Sequence, residues 1–154
     1  MSVRIIRDTH LAGLAALAHR FETMHERVMV GVPAGAKEED GTPIALIAAV
    51  HEFGSPKAGI PERSFLRTGL KRARPLFATL NFDSLKKVAN GLLSIHEALD
   101  RLGAAAAGAV KEEIVIGTFV PLRPATIARK GSDKPLIHSG SLRQAITWII
   151  EGAA

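Results

Sequence analysis

The chain contains no cysteine. That absence removes disulfides, thiolate metal sites, iron–sulfur clusters and cysteine nucleophiles together, and it permits a reducing compartment. Tyrosine is missing as well, and one Trp stands beside six Phe. A stacking platform for single-stranded nucleic acid therefore has little material. Long apolar runs are also lacking: stretches such as Ile44 to Val50 and Ile146 to Ile150 fall far short of the roughly 20 residues that span a bilayer. A soluble protein with no membrane segment is expected. Arg4 and Arg7 precede a charged, Ala-rich stretch without an uninterrupted apolar core, so no secretory signal is expected.

What is present is a chain of 154 residues with 47% hydrophobic content. Such a length hides roughly 70% of the surface its unfolded form exposes, enough for one core without covalent staples. One domain over residues 1–154 is the expectation. The formal charge of +5 is unevenly spread: residues 56–90 hold eight basic and two acidic side chains, and residues 121–143 hold five and one. Two basic segments on a slightly acidic remainder suggest a face for phosphate or for an acidic protein neighbour. A solvated surface is the plainer reading. No zinc-finger, homeodomain or ribonucleoprotein pattern accompanies the charge.

Periodicity outlines the elements. Leu11, Leu14, Leu17, Phe21 and Met24 recur at three- and four-residue steps after Asp8 and Thr9, which predicts an amphipathic helix over about 9–25. Val28, Val30 and Val32 then alternate with Met29 and Gly31, which predicts a half-buried strand near 27–32. The acidic, glycine-containing stretch that follows has no apolar period, and a mobile loop near 34–41 is expected. Thr42 as N-cap with Pro43 at N1 would open a short helix that stops at Gly54. Two prolines and a glycine between Ser55 and Pro61 turn the chain into a basic helical region, which Pro75 kinks or divides. Ser94 and Glu97 form a capping-box pattern, and Leu99, Leu102, Ala106, Val110 and Ile114 carry a stripe to Gly117. The small residues from Gly103 to Gly108 allow close packing, within the chain or against a neighbouring subunit. Ser139-Gly140-Ser141 starts one helical turn, and Ile146–Glu151 reads as a strand apolar on nearly both faces. Such a strand must lie centrally in its sheet or be shielded by a partner. The elements together predict an α+β fold: a small, mainly antiparallel sheet holding both strands, packed against several helices, among them 9–25 and 95–116.

Catalytic patterns fail when tested. His51-Glu52 resembles the start of a zinc-protease helix, but Ser55 occupies the position of the second His. His25-Glu26 and His96-Glu97 fail likewise, with Met29 and Asp100 there. Neither a Walker loop nor a dinucleotide fingerprint nor a nucleophile elbow is present. The chain is read as non-enzymatic, with no catalytic, cofactor-binding or metal-binding residue assigned.

Three separated stretches carry more information. Thr42 to Gly54 (TPIALIAAVHEFG), then Ile60 to Arg67 (IPERSFLR), and later Pro124 to Lys130 with Lys134 to Arg143 (KPLIHSGSLR) stand in order along the chain. Together they resemble the signature of small neck proteins of tailed bacteriophages, known as tail completion, head–tail joining or virion morphogenesis proteins. Ser139 stands where threonine is commoner, keeping a hydroxyl able to cap the next turn, and Ser64 stands where proline is frequent.

The motif residues make architectural sense. Gly54 accepts a left-handed backbone, Phe53 and Phe65 are expected to anchor the two sides of the turn, and Arg63 is expected to pair with Glu52. Leu136 and Leu142 should anchor either side of the Ser139 cap. Arg129, Lys130 and Arg143 form the exposed remainder and the candidate surface for a partner. The resemblance implies a non-enzymatic structural protein that completes the tail or joins head and tail, made in the bacterial host cytoplasm and carried in the virion. It also implies other neck or tail proteins as partners and copies arranged as a ring. Ring interfaces would draw on the Ala-rich helix, the closing strand and the acidic loop meeting basic segments. The alternative is a nucleic-acid-binding module using the basic segments 56–90 and 121–143.

Overall fold

The computed structural model describes residues 26–137 and 139–152, together with Ala15, Ala18 and His19. The helix expected over 9–25 lies outside the described residues apart from those three positions. Among the rest, two strands from distant parts of the chain lie side by side. β1 (Arg27–Gly31) and β2 (Thr147–Glu151) pair antiparallel, with Val28 opposite Ile150 and Val30 opposite Trp148. Those four side chains are half-buried, whereas the intervening pair Met29 and Ile149 is exposed. Successive side chains in a strand point to opposite faces, so one face of this ribbon is turned to the core. The expected shared sheet is therefore present. Within the described residues it has two strands, so β2 is not central, and its inner face is covered by the chain's own helices.

Six helices follow β1 in order: α1 (Ile44–Phe53), α2 (Phe65–Arg72), α3 (Arg74–Ala89), α4 (Ile95–Ile116), α5 (Pro124–Lys130) and α6 (Ser141–Ala145), with a 3-10 turn at Pro56–Ala58. The fold is α+β. α4 is the longest element, about 33 Å at the usual rise, and it packs on both strands and on α2, α3 and α6. Its start is a complete capping box: Glu97 N–H donates to Ser94 Oγ at 3.1 Å, and Ser94 N–H donates to the Glu97 carboxylate at 2.7 Å. Gly103, Ala106, Ala107, Val110, Glu113 and Ile114 are its buried positions, the three- and four-residue spacing of one helix face. Pro75 falls in the first turn of α3, so the basic helical region is divided, with Ala73 as the joint.

The small residues of α4 serve packing inside the chain. A Cβ on Gly103 would lie 2.2 Å from the Trp148 ring, whose Nε1–H donates to Asp100 at 2.9 Å. A close backbone approach to α4 is supplied by Gly69 of α2, where a Cβ would sit 3.1 Å from Ala109 O and Val110 Cα. Buried Glu113 of α4 is paired with Arg72 of α2 at 2.8 Å. Around this contact lies the core: Ile44, Phe65, Ala107, Val110, Ile114, Leu136, Leu142 and Ile146. Burying one such side chain as fully as Phe65 contributes about 1.5–3 kcal/mol.

The start of α1 differs from expectation, and the end of α4 does not. Thr42 does not cap α1: Pro43 flanks the helix without a side-chain cap, and the Thr42 amide donates to Asp40 Oδ1 at 2.9 Å. Gly117 ends α4 with φ of −63°, an ordinary extended backbone. The loop between β1 and α1 folds back on itself, with Glu38 N–H on Thr42 O at 2.9 Å and Ile44 N–H on Ala36 O at 2.9 Å.

Candidate docking groove

The joint between α1 and α2 sets the geometry. Gly54 ends α1 with φ of +74°, and a Cβ there would come within 2.9 Å of Glu62 N. Both the backbone angle and the close approach require glycine. Ser55 and Ile60 then exchange two backbone hydrogen bonds, and Arg63 N–H returns to His51 O at 2.7 Å. Glu52 and Arg63 are thereby placed on either side of one turn, both buried, at 5% and 4% exposure.

They do not pair with each other. Glu52 accepts from Ser64 Oγ at 2.7 Å, Leu66 N–H at 2.9 Å and Arg67 N–H at 3.2 Å, with the Arg67 guanidinium 3.6 Å away. Its carboxylate thus caps the start of α2 from the preceding helix, answering donors that have no partner within their own helix. Arg63 donates instead to two backbone carbonyls, Nε to Val120 O at 2.8 Å and Nη2 to Pro121 O at 3.3 Å. The expected Arg63–Glu52 ion pair is corrected: the orphan amides of a helix start are fixed donors at the right place. The expectation for the two phenylalanines divides. Phe65 is 2% exposed and central to the core, but Phe53 is 71% exposed, because α1 turns Ile44 and Glu52 inward and leaves the adjacent position outward.

The third motif supplies the opposite rim. Leu136 and Leu142 are buried in the same cluster as Phe65, as expected. Leu136 has φ of +62°, and Ile137 N–H closes a three-residue turn on Pro135 O at 2.8 Å. Burial of its side chain holds a backbone angle that a branched residue otherwise avoids. Ser139 is not the helix cap expected of it: Gly140, with φ of +84°, flanks α6 without a side-chain cap, and Ser139 Oγ, one residue earlier, accepts from Ser141 N–H at 3.2 Å. Both serine hydroxyls also donate to Glu38, which ties the acidic loop to this turn.

Between these parts lies an open groove of about 1350 Å³. Its acidic side chains are Glu38, Glu39, Asp40 and Glu62, and its basic ones are Arg63, Arg123, Arg129 and Lys130. Most of the acids are engaged. Glu38 holds the two serines, Asp40 accepts from the Thr42 amide, and Glu62 pairs with Arg67 at 2.7 Å. The bases are not: among the described residues no ion pair joins any of the four to a carboxylate. Arg123 lies against Gly59, its guanidinium 3.0 Å from where a Cβ would stand, and Lys130 Nζ donates to Lys134 O. The buried Nδ1 of His51, also on this wall, has no hydrogen-bond partner. Burial first, then the charges of Arg63 and Lys130, hold the His51 pKa below the ordinary histidine value. Burial first and then the charge of Arg63 lower the Lys130 pKa, against the opposing pull of Asp133.

Of the three candidate partner-binding residues, Arg129 and Lys130 share the groove and Arg143 does not: it is exposed on α6, outside the groove lining. Arg123 was not singled out from the sequence, and the excess of base over acid in residues 121–143 is the signal that points toward it; His51 stood there only in a failed zinc-protease pattern, and Arg63 only as the expected partner of Glu52. Among the described residues no group of three or more His, Cys, Asp or Glu is placed to hold a metal ion, and no helix is long and apolar enough to cross a membrane. Comparison of the chain with family models, with curated proteins and with solved structures finds no match.

Proposed function

We propose that this protein is a non-enzymatic structural component of tailed-phage virion assembly, one that completes the tail or joins head and tail at the neck by docking to neighbouring neck or tail proteins. The observation that carries the reading is the ordered set HEFG, IPERSFLR and KPLIHSGSLR along one chain. The fold supports it by giving those distant stretches one joint use. Glu52 caps the helix that begins at Phe65, Arg63 clasps the segment before α5, and Leu136 and Leu142 close on the same core. What the motifs leave outward is a groove with unpaired cations, a surface suited to docking.

A ring of copies in the virion belongs to the same proposal. The nucleic-acid reading has one observation in its favour, the meeting of Arg63 from one basic segment with Arg123, Arg129 and Lys130 from the other. Against it, other cations of the first segment are held in ion pairs, Arg72 with Glu113 and Lys87 with Asp83.

Deleting the gene from its phage or prophage and viewing the lysate by electron microscopy tests the proposal. Filled heads and tails that fail to join or finish are expected. Intact virions in normal number would refute it, as would a gene placed in a metabolic cluster rather than between head and tail genes.

A further inference from the structure

The groove's unequal charge accounting points to its occupant. Buried Arg63 has only neutral carbonyls as acceptors and forms no ion pair with a carboxylate among the described residues; Lys130 lies within its electrostatic reach, and Asp133 acts on Lys130 without forming an ion pair with it. A buried cation without an acid is destabilising until an anion arrives. At about 1350 Å³ and open along its length, the groove exceeds the usual roughly 300–1,000 Å³ of a small-molecule pocket. Its lining includes Ile60, Val120 and Leu122 beside the cations.

We infer that the groove receives an extended peptide segment of a partner protein, with a glutamate or aspartate carboxylate over the Arg63–Lys130 end and apolar side chains along Ile60, Val120 and Leu122. The inference rests on the docking role proposed above and names the chemistry of the docked segment. Charge complementarity selects the acidic residue. The acidic rim of Glu38, Glu39 and Asp40 selects a peptide over a nucleic acid, because a phosphate backbone places a charge about every 1.7 Å of duplex and would meet that rim along with the bases. A peptide can carry a single carboxylate, whereas a nucleic acid carries a charge at every residue. Stacking is a weak resource here, since Phe53 is the one Phe, Tyr or Trp among the described residues of the lining.

The test uses the full-length chain immobilised and exposed to a positional-scanning library of short synthetic peptides, with single-stranded and duplex DNA oligonucleotides as competitors. The expected result is about tenfold enrichment of Glu or Asp at one position flanked by apolar residues, lost in the Arg129→Ala/Lys130→Ala double variant. Arg129 is exposed and Lys130 half-buried, and unchanged circular dichroism and melting temperature would certify the fold. Arg63→Met should remove the same preference. Absence of an acidic preference, or its survival in the double variant, overturns the inference. Displacement of every peptide pool by DNA at lower concentration overturns it in favour of the nucleic-acid reading. The outcome separates from that of the deletion: an acidic preference in a protein whose loss leaves virions intact rejects the phage role and keeps the groove's ligand, and the converse pair of results rejects the ligand alone.

Discussion

Glu52 and Arg63 are a controlled comparison within one turn: opposite charges, equally buried, solved in different ways. Around Glu52 every near neighbour is a donor, namely a hydroxyl, two helix-start amides and a guanidinium edge. Around Arg63 the neighbours are uncharged carbonyls, and the space beyond is a groove holding three more cations. The acid is complete within the chain, and the base is not. The difference separates a charge that builds the fold from charges that remain available to something outside it.

If Glu52 builds the fold and Arg63 does not, substitutions at the two sites should differ in cost. Glu52→Ala should have the largest effect, a loss of about 3 kcal/mol in urea unfolding, because it strands buried donors at the start of α2. A loss below about 1 kcal/mol would mean that water replaces the cap and that the acid is less complete than its contacts suggest. Ser64→Ala removes one donor of that set and should cost about 1 kcal/mol by the same measurement. Arg63→Met should cost no more than about 1 kcal/mol, since an apolar chain of similar length replaces a cation with no acid partner. If Arg63→Met equals Glu52→Ala, both charges are architectural and the contrast dissolves.

His51 gives the comparison a pH axis. Burial, Arg63 and Lys130 depress its folded pKa below the ordinary value of 6.5, so the unfolded chain binds the proton more readily. Stability contributed by the neutral imidazole is full above the unfolded pKa and is lost as pH falls through that value toward the folded one. The melting temperature should therefore decline from about pH 7 to about pH 5, and His51→Gln should flatten part of that decline. An unchanged slope would place the imidazole outside the influence of these cations. Smallest of all, the Arg129→Ala/Lys130→Ala variant should stay within about 0.5 kcal/mol of the parent, because Arg129 is exposed and half-buried Lys130 gives up one hydrogen bond to Lys134 O together with the cost of burying its charge.

The periodic parts of this architecture were legible in the residues. The alternation around Val28 and Val30 located β1, the Ser94–Glu97 pair located the start of α4, and Gly54 located the end of α1, each through a local rule. The partner of Glu52 was not legible, because backbone amides of a helix start leave no mark in side-chain identity, whereas a nearby arginine does. The outward turn of Phe53 was hidden for another reason: α1 is apolar on nearly every side, so its sequence carries no phase from which to read the buried face. A left-handed Leu136 contradicts what its side chain prefers and is imposed by the core around it. The groove was legible only in fragments. Its walls come from α1, the turn after it, the segment before α5, α5 itself and the Glu38 loop, and nothing in the order of residues says that these meet.

The account holds that the unpaired bases serve docking and leave folding untouched, and one experiment reads both halves. The phage or prophage deletion is complemented with the Arg129→Ala/Lys130→Ala variant, and joined particles are counted by electron microscopy while the purified variant is melted. The predicted result is an unchanged melting temperature with few joined particles, against full restoration by the parent chain. Full restoration by the variant would contradict the account.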